Sequence, residues 1–212
     1  MTTAGNSAPL VRLFAGAVAP GAAPGRRVRW SAAAAVAAAA LALGAQPAWL
    51  HAKAHLAQLL LQQSWAQRDH HGHAPAPWPG ADTYPVARLR APRHGIDQIV
   101  LAGDSGRTLA FGPGWAEASA VPGSANGTTV VSAHRDTHFA FLRALQVGDV
   151  LSLSGGSGER SFRVSAMEVV DSRSHAIATD SGGARLLLVT CWPFDALQAG
   201  GPLRYLVTAE PV

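Results

Sequence analysis

The chain has very little cysteine and little charge. Cys191 is the single cysteine among 212 residues, so no disulfide can form within the chain and the fold must depend on its hydrophobic core. Charged residues make up 14% of the sequence and hydrophobic residues 48%, against about 25% charged residues in an average soluble protein. This composition excludes a wholly disordered chain, and the length allows one ordinary domain with an appendage.

The C-terminal two thirds also lack an excess of positive charge. Residues 1–80 carry six Lys and Arg against Asp69 alone, whereas residues 81–212 carry 11 Arg against 12 Asp and Glu. The net charge of +4 therefore arises in the first third of the chain. A surface that follows nucleic-acid phosphates needs a concentrated basic stripe, so we expect no nucleic-acid partner.

The first third of the chain is expected to contain a membrane anchor. Residues 1–29 are rich in Ala, Gly, Pro and Ser, end in three arginines and predict a disordered basic cytoplasmic leader. Residues 30–50 carry no charge, and as a helix they would span roughly 31 Å, the thickness of a hydrocarbon core. The basic flank places the leader in the cytoplasm and everything after about residue 50 on the periplasmic or extracytoplasmic side of the inner membrane. A cleaved signal peptide is the alternative, because small residues at 45–48 resemble a cleavage site.

A helix and a linker are expected to follow the anchor. Residues 51–68 are good helix formers without Gly or Pro and predict a juxtamembrane helix, while residues 69–84 are rich in Pro and His and predict a linker. His70, His71 and His73 could ligate a metal, but a proline-rich linker gives them no fixed orientation. No metal or other cofactor is expected, and no acidic cluster has the spacing of a calcium site.

Residues 85–212 have the pattern of an all-β domain. Short apolar runs alternate with Gly-rich turns; Ser161–Ala166 alternates polar and apolar residues, and Arg185–Thr190 is a continuous apolar run. This spacing favours a mainly β fold, a closed or nearly closed β-barrel of about 7–8 strands with short helices, one of them at Phe139–Leu145.

Two motifs resemble those of a serine protease and of a zinc enzyme, but the surrounding sequence supports neither activity. Gly103–Gly106 resembles the nucleophile loop of a trypsin-like serine protease, with Ser105 as the nucleophile. In those enzymes the histidine lies far upstream of the serine, and no exported segment of that length precedes Ser105. A hairpin turn between two strands accounts for the Asp and Gly residues of this segment. His134 and His138 have the spacing of a helical zinc motif, yet Arg135 replaces the glutamate that this motif requires.

Cys191 is the best candidate nucleophile. It follows the apolar run that ends at Thr190 and precedes Trp192-Pro193, so its thiol is expected at a strand end facing a loop. His134 comes at the end of the predicted strand Thr128–Ala133, and Arg204 begins the last predicted strand, Arg204–Thr208. A thiol needs a base or a positive neighbour to become a good nucleophile, which His134 could provide, and a guanidinium could hold the oxyanion that forms when a carbonyl is attacked.

Three patches of sequence resemble the sortase family, a family of cysteine transpeptidases. Thr129–Arg135 resembles its histidine strand, Leu188–Cys191 its Leu-x-Thr-Cys nucleophile motif, and Arg204–Val207 its arginine strand. Further similarity lies in residues 107–113 and 134–142, and the pattern is most like the proteobacterial sortases that serve a single target protein. The resemblance covers about residues 85–210. Ala133 and Leu187 depart from it: sortases usually have glycine in the place of Ala133, before the histidine, and many have threonine in the place of Leu187.

The resemblance implies a reaction and its partners. Cys191 would attack the Thr carbonyl of an LPxTG-like signal near the C-terminus of another exported protein, Arg204 would stabilise the oxyanion, and His134 would protonate the departing glycine amine. An amine acceptor of unknown identity would then resolve the thioester. Thr190 is a further candidate for substrate contact. Two alternatives stay open: an exported cysteine protease that only hydrolyses, and a non-catalytic exported β-barrel that binds a partner.

Overall fold

A computed structural model describes most of the chain beyond the expected anchor. The described residues are 49, 52–53, 55–69, 74–180, 182–198 and 200–212. The predicted leader, nearly all of the predicted membrane anchor and the three linker histidines lie outside them. No helix in these ranges has both the length and the hydropathy needed to cross a membrane.

Eight strands close into a barrel, which confirms the predicted mainly β architecture. Their order around the barrel is β1-β2-β3-β4-β7-β8-β6-β5. The ladders are antiparallel except for β2 with β3 and β4 with β7, which are parallel. The strand bounds are β1 Pro85–Ala91, β2 Ile96–Ala102, β3 Gly114–Trp115, β4 Thr128–Ser132, β5 Val150–Gly155, β6 Gly158–Asp171, β7 Arg185–Cys191 and β8 Leu203–Pro211.

The apolar run of β7 is continuous because both of its faces are covered. Leu186 and Leu188 point into the barrel and belong to its main core. Leu187, on the opposite face, packs with residues of β4 and β8 in a second apolar cluster outside the barrel wall, against which Ile177 of the β6–β7 loop also packs. Alternate residues of a strand face opposite sides, so a strand that is buried on both sides needs apolar residues at nearly every position.

A helix lies against the outside of β2. Helix α1, described over residues 55–66, buries Leu61 and Trp65 against Ile99 and Leu101. The side chain of Gln58 adds hydrogen bonds to β2: its Oε1 accepts from the amide of Ile99 at 2.8 Å and its Nε2 donates to the carbonyl of Ile99 at 3.4 Å. The helix therefore belongs to the same compact unit as the barrel, which spans residues 46–212.

Two 3₁₀ helices and one short α-helix complete the fold. The 3₁₀ helix Ala140–Ala144 lies within the predicted helix Phe139–Leu145, and Phe139 and Leu142 are buried in the barrel core. Helix α2, Gly106–Leu109, joins β2 to β3. The predicted hairpin turn at this point is wrong, because β2 and β3 are parallel and a tight two-strand turn can join only antiparallel strands.

A buried carboxylate ties the other 3₁₀ helix, Pro92–His94, to the start of β5. The side chain of Asp149 is 1% exposed and accepts from Nη1 of Arg93 at 2.6 Å, pairs with Nε2 of His94 at 2.7 Å, and accepts from the amide of Gln146 at 2.9 Å. These partners, the hydrogen bond to His94 first, lower the pKa of Asp149 to about 2.

Candidate active site

The three candidate residues lie side by side at one end of the barrel. Cys191, the last residue of β7, is the ladder partner of Arg204 at the start of β8. Ser132 of β4 is level with Val189 of β7, and the amide of Ala133 donates to the carbonyl of Val189 at 3.2 Å. His134 comes one residue after Ala133 and so lies just beyond the end of β4, beside the end of β7 that carries Cys191. Adjacent strands are roughly 5 Å apart, so folding brings together residues 57 and 13 positions apart in the chain, with Cys191 in the middle.

Cys191 and Arg204 face the outside of the barrel wall. Ser132 and Val189 line an external cavity together with Arg204 itself. Side chains alternate along a strand, so Cys191, two residues after Val189, shares that outer face. His134 follows Ser132 by two residues, just beyond the end of β4. His134 is exposed, whereas Cys191 and Arg204 are half-buried. The free thiol is therefore reachable for a substrate lying on the wall.

Backbone carbonyls hold Arg204 in place. Its Nη1 donates to the carbonyl of Gly201 at 2.7 Å and to that of Leu203 at 2.9 Å. Within the described part of the chain, no carboxylate lies within ion-pairing distance of this guanidinium. Its positive charge and its remaining N–H groups are thus available to an oxygen of a ligand beside Cys191.

A groove runs along the outer wall from Arg204. It encloses about 310 Å³, with Val130 and Val189 on its floor, Asp104 and Ser119 on one wall, and Ile177 and Thr179 of the β6–β7 loop on the other. The floor is apolar and the rims are mostly small polar residues. Such a groove can hold an extended peptide whose apolar side chains point down to the strands.

Thr190 faces the other way. It is 3% exposed, lies on the inner face of β7, and its hydroxyl donates to the carbonyl of Ala133 at 2.7 Å. This bond ties the end of β4 to the end of β7 directly beside His134 and Cys191. Substrate contact by Thr190 stays a prediction, and the hydroxyl would have to leave this bond to make the contact.

Two arginines fix the loop that joins Cys191 to Arg204. Arg135 is 8% exposed, and its Nη2 donates to the carbonyls of Ala196 at 3.0 Å and Gln198 at 2.8 Å. Arg143 donates to the carbonyl of Phe194 at 3.3 Å and lies over its ring. Because Arg135 is the peptide neighbour of His134, one residue couples the histidine segment to the loop that follows the cysteine.

An aromatic cluster supports the same loop from the barrel side. The ring of Trp192 stacks on Tyr205 with centroids 5.6 Å apart, and Phe194 packs edge-on against both rings. Sequence analysis did not single out these aromatic residues or Arg135 as part of the site. The available signal was their position, since Trp192 and Tyr205 directly follow Cys191 and Arg204, and Arg135 directly follows His134.

His138 is a buried neighbour of the site with a different character. It is 7% exposed, and among the residues that the structure describes its Nε2 has no hydrogen-bond partner. Burial, followed by the charges of His134 and His55, lowers the pKa of His138 to about 4. His134 and His138 lie at the two ends of a turn, closed by a bond from the amide of Phe139 to the carbonyl of His134. In the described ranges, no three metal-ligating side chains come together.

Known proteins resemble this chain over the region that forms the barrel. The family model described as the Sortase domain matches residues 89–212. Sortase D of Bacillus subtilis (strain 168) is 30% identical over 125 residues, which is 58% of this chain and 62% of that protein. The chain thus spans less than two thirds of that curated relative.

Solved sortase structures share the fold. Streptococcus agalactiae sortase C1 is 23% identical with a TM-score of 0.54, covering 60% of this chain and 67% of that one. Sortase A from Corynebacterium diphtheriae is 20% identical with a TM-score of 0.55, covering 79% and 86%. The matched domain contains His134, Cys191 and Arg204 and covers more than half of the sequence, so the chain belongs to the sortase family.

Proposed function

We propose that this sortase is a membrane-anchored cysteine transpeptidase that cleaves an LPxTG-like sorting signal between Thr and Gly and transfers the acyl group to an amine. The observation that supports the proposal is that Cys191 is the ladder partner of Arg204, while His134 follows the end of β4, the strand on the other side of β7. We infer that the three residues form a row. This row has a nucleophile in the middle, a proton carrier on one side and a positive charge on the other.

The first half-reaction makes a thioester. The sulfur of Cys191 attacks the carbonyl carbon of the signal's threonine, and the carbonyl oxygen becomes negative as the tetrahedral intermediate forms. Arg204 stabilises that oxygen with the N–H groups that its backbone carbonyl partners leave free. The intermediate collapses by breaking the Thr–Gly bond, and His134 supplies the proton that the departing glycine amine requires.

The second half-reaction releases the product. An incoming primary amine attacks the thioester carbon, and His134 accepts the proton that the amine loses. The amide bond forms as the carbon–sulfur bond breaks, which returns the thiol. Water in place of the amine would give hydrolysis, so the balance between the two products depends on which nucleophile reaches the thioester first.

The groove supports an extended signal as the substrate. Its floor of Val130 and Val189, with Ile177 above, provides an apolar surface for the leucine and proline that precede the variable residue. The polar rims offer hydrogen bonds to a peptide backbone. Because the groove reaches Arg204, a peptide lying in it would place its C-terminal residues beside Cys191.

The location and partners of the enzyme are also part of the proposal. The uncharged segment 30–50 behind three arginines supports a single-pass anchor in the inner membrane, with the barrel on the periplasmic side. The partner would be an exported protein that ends in the sorting signal, and the acceptor an amine on another molecule. A closer relationship to the single-target proteobacterial sortases stays a prediction.

A ligation assay tests the proposal. The purified full-length chain is incubated with a fluorescent peptide containing Leu-Pro-Gln-Thr-Gly and with excess triglycine, and the products are separated by mass. We expect the peptide joined through its threonine to triglycine, no product with Cys191→Ala, and a loss of at least a hundredfold with Arg204→Ala. Arg185→Ala is the matched control, since Arg185 lies at the opposite end of β7.

The outcomes separate the proposed enzyme from its two rivals. Free peptide acid without any triglycine product would favour a cysteine protease that only hydrolyses. Full activity of Cys191→Ala would contradict nucleophilic catalysis by this residue. A chain that binds the peptide without cleaving it would favour a binding module.

A further inference from the structure

One carboxylate stands in the wall of the groove. Among the residues lining this cavity, Asp104 and Arg204 are the charged ones, and the others are apolar or small and polar. Asp104 is exposed. Across the described part of the chain, no hydrogen bond or ion pair engages its side chain, so the charge is free to meet a ligand.

The backbone sets Asp104 on the outer face above β3. A Cβ built on Gly114 would lie 3.0 Å from the Cα of Asp104, so the loop rests directly on this strand and leaves no room for a side chain there. Gly114 is the ladder partner of Ser132, whose side chain lines the groove. Partners across a ladder face the same side of a sheet, which puts Asp104 above the groove side of the wall.

The distance from Asp104 to the nucleophile suits a long side chain. Asp104 is level with Ser132 and Val189, two residues before the row that contains Cys191, and β3 is two strands away from β7. With about 3.3 Å per residue and 4.8 Å per strand, the Cα atoms of Asp104 and Cys191 are roughly 12 Å apart. The residue that precedes the scissile threonine lies roughly 4–7 Å from the thiol in an extended peptide, and the remaining gap requires an extended side chain.

The sign of the charge selects lysine or arginine for that side chain. The opposite wall contributes Ser172, Ile177 and Thr179, none of which is charged. Arg204 lies at the cysteine end, where two carbonyls hold its guanidinium, and in the proposed reaction it binds the reacting oxygen. Asp104 is therefore the charged group of the groove that the side chain before the threonine would meet.

We propose that Asp104 is a specificity-determining residue that favours sorting signals with lysine or arginine at the variable position immediately before the threonine. This inference rests on the proposed function, because it assumes that a sorting signal occupies the groove. It assigns to this chain a substrate class, basic sorting signals, that is narrower than the LPxTG-like pattern.

The test compares three signals that differ at one position. The full-length chain is assayed for acylation by peptides with Lys, Gln or Glu before the threonine, at 50 mM and at 1 M NaCl. At low salt we expect kcat/KM for Lys to exceed that for Gln by roughly two- to fivefold, as for a solvent-accessible ion pair, and Glu to fall below Gln. The preference should shrink at high salt, where charges are screened within about 3 Å.

Three variants locate the effect. Asp104→Asn should make the Lys and Gln peptides equivalent, and Asp104→Lys should favour the Glu peptide. Glu117→Gln is the matched control: Glu117 is an exposed carboxylate between two groove-lining residues but does not line the groove, and its loss should leave the preference unchanged.

The results separate this inference from the function on which it rests. Equal kcat/KM for the three peptides, or a preference that survives in Asp104→Asn, would overturn the role of Asp104 while leaving the transpeptidase intact. An equal effect of Glu117→Gln would also overturn it, since the selection would then come from the overall charge of this face. No acylation by any of the peptides would overturn both.

Discussion

Mild acid should destabilise the protein through one buried histidine, His138. Its pKa in the folded protein is lowered from 6.5 to about 4, mainly because burial disfavours the charged imidazolium. Between these two values the unfolded chain binds a proton that the folded chain does not, so the free energy of unfolding falls as the pH decreases from 6.5 towards 4. The contribution of His138 is complete above pH 6.5 and is lost through this window.

The size of the effect follows from the difference between the two pKa values. At about 1.4 kcal/mol per pKa unit, a fall from 6.5 to about 4 corresponds to about 3 kcal/mol, of which about 2 kcal/mol is lost by pH 5. The groups that act on the imidazole are His134 on its own segment and His55 on α1. The positive charges of both groups oppose protonation of His138.

Urea unfolding of the full-length chain, followed by tryptophan fluorescence at pH 7.5, 6.5, 5.5 and 5, measures this loss. His138→Phe should lose about 2 kcal/mol less than the wild type between pH 7.5 and 5, because phenylalanine keeps the ring and no hydrogen bond is removed from the unpartnered Nε2. His175→Asn, which replaces an exposed histidine, should keep the wild-type dependence. Parallel pH curves for wild type and His138→Phe would refute the reasoning.

Three further perturbations test the packing and the loop. Asp149→Asn should lower the free energy of unfolding at pH 7 by about 2 kcal/mol, the free energy that corresponds to the lowered pKa of Asp149. The variant should also lack the stability that the wild type loses as the pH falls from about 4 to about 2. Urea unfolding at neutral and at acid pH measures both effects, and an unchanged loss of stability in acid would contradict the assignment. Leu188→Ala should lower the free energy of unfolding, measured with urea, by about 3 kcal/mol because Leu188 is fully buried. The control Leu197→Ala changes a fully exposed residue and should lower it by less than about 0.5 kcal/mol. Equal losses for the two variants would contradict the described core. Arg135→Met should lower kcat for peptide acylation about tenfold with little change in KM, because the loop after Cys191 loses two hydrogen bonds while the groove is untouched. Steady-state kinetics measures kcat and KM, and added guanidinium should restore part of the lost kcat. A change confined to KM would contradict the prediction.

The strands of the barrel could be predicted because strand formation depends on local patterns of apolar and turn residues. The β-branched and apolar runs Thr128–Ala133 and Arg185–Thr190 predict strands, and the structure has strands at Thr128–Ser132 and Arg185–Cys191. The pairing of β4 with β7 is a contact between residues 57 positions apart, and no local pattern encodes it. The resemblance to a known family supplied that step.

The errors and omissions have identifiable physical sources. Gly103–Gly106 has turn composition, but composition does not reveal whether the next strand returns antiparallel, and the short helix α2 with a two-residue β3 gave no periodic signal. The inward orientation of Thr190 could have been read from strand alternation, since it is adjacent to Cys191 and must face the opposite side. The burial of Arg135 could not be predicted from the sequence, because its hydrogen-bond partners are carbonyls of a distant loop.

The central claim is that Cys191 forms a thioester with a peptide ending in threonine. Intact-mass measurement of the full-length chain mixed with a Leu-Pro-Lys-Thr-Gly peptide and quenched in acid should show one adduct, with the mass of the peptide up to threonine less one water. Hydroxylamine at neutral pH should remove that adduct, and proteolytic mapping should place it on Cys191. Cleaved peptide without any adduct, or an adduct on another residue, would contradict the account.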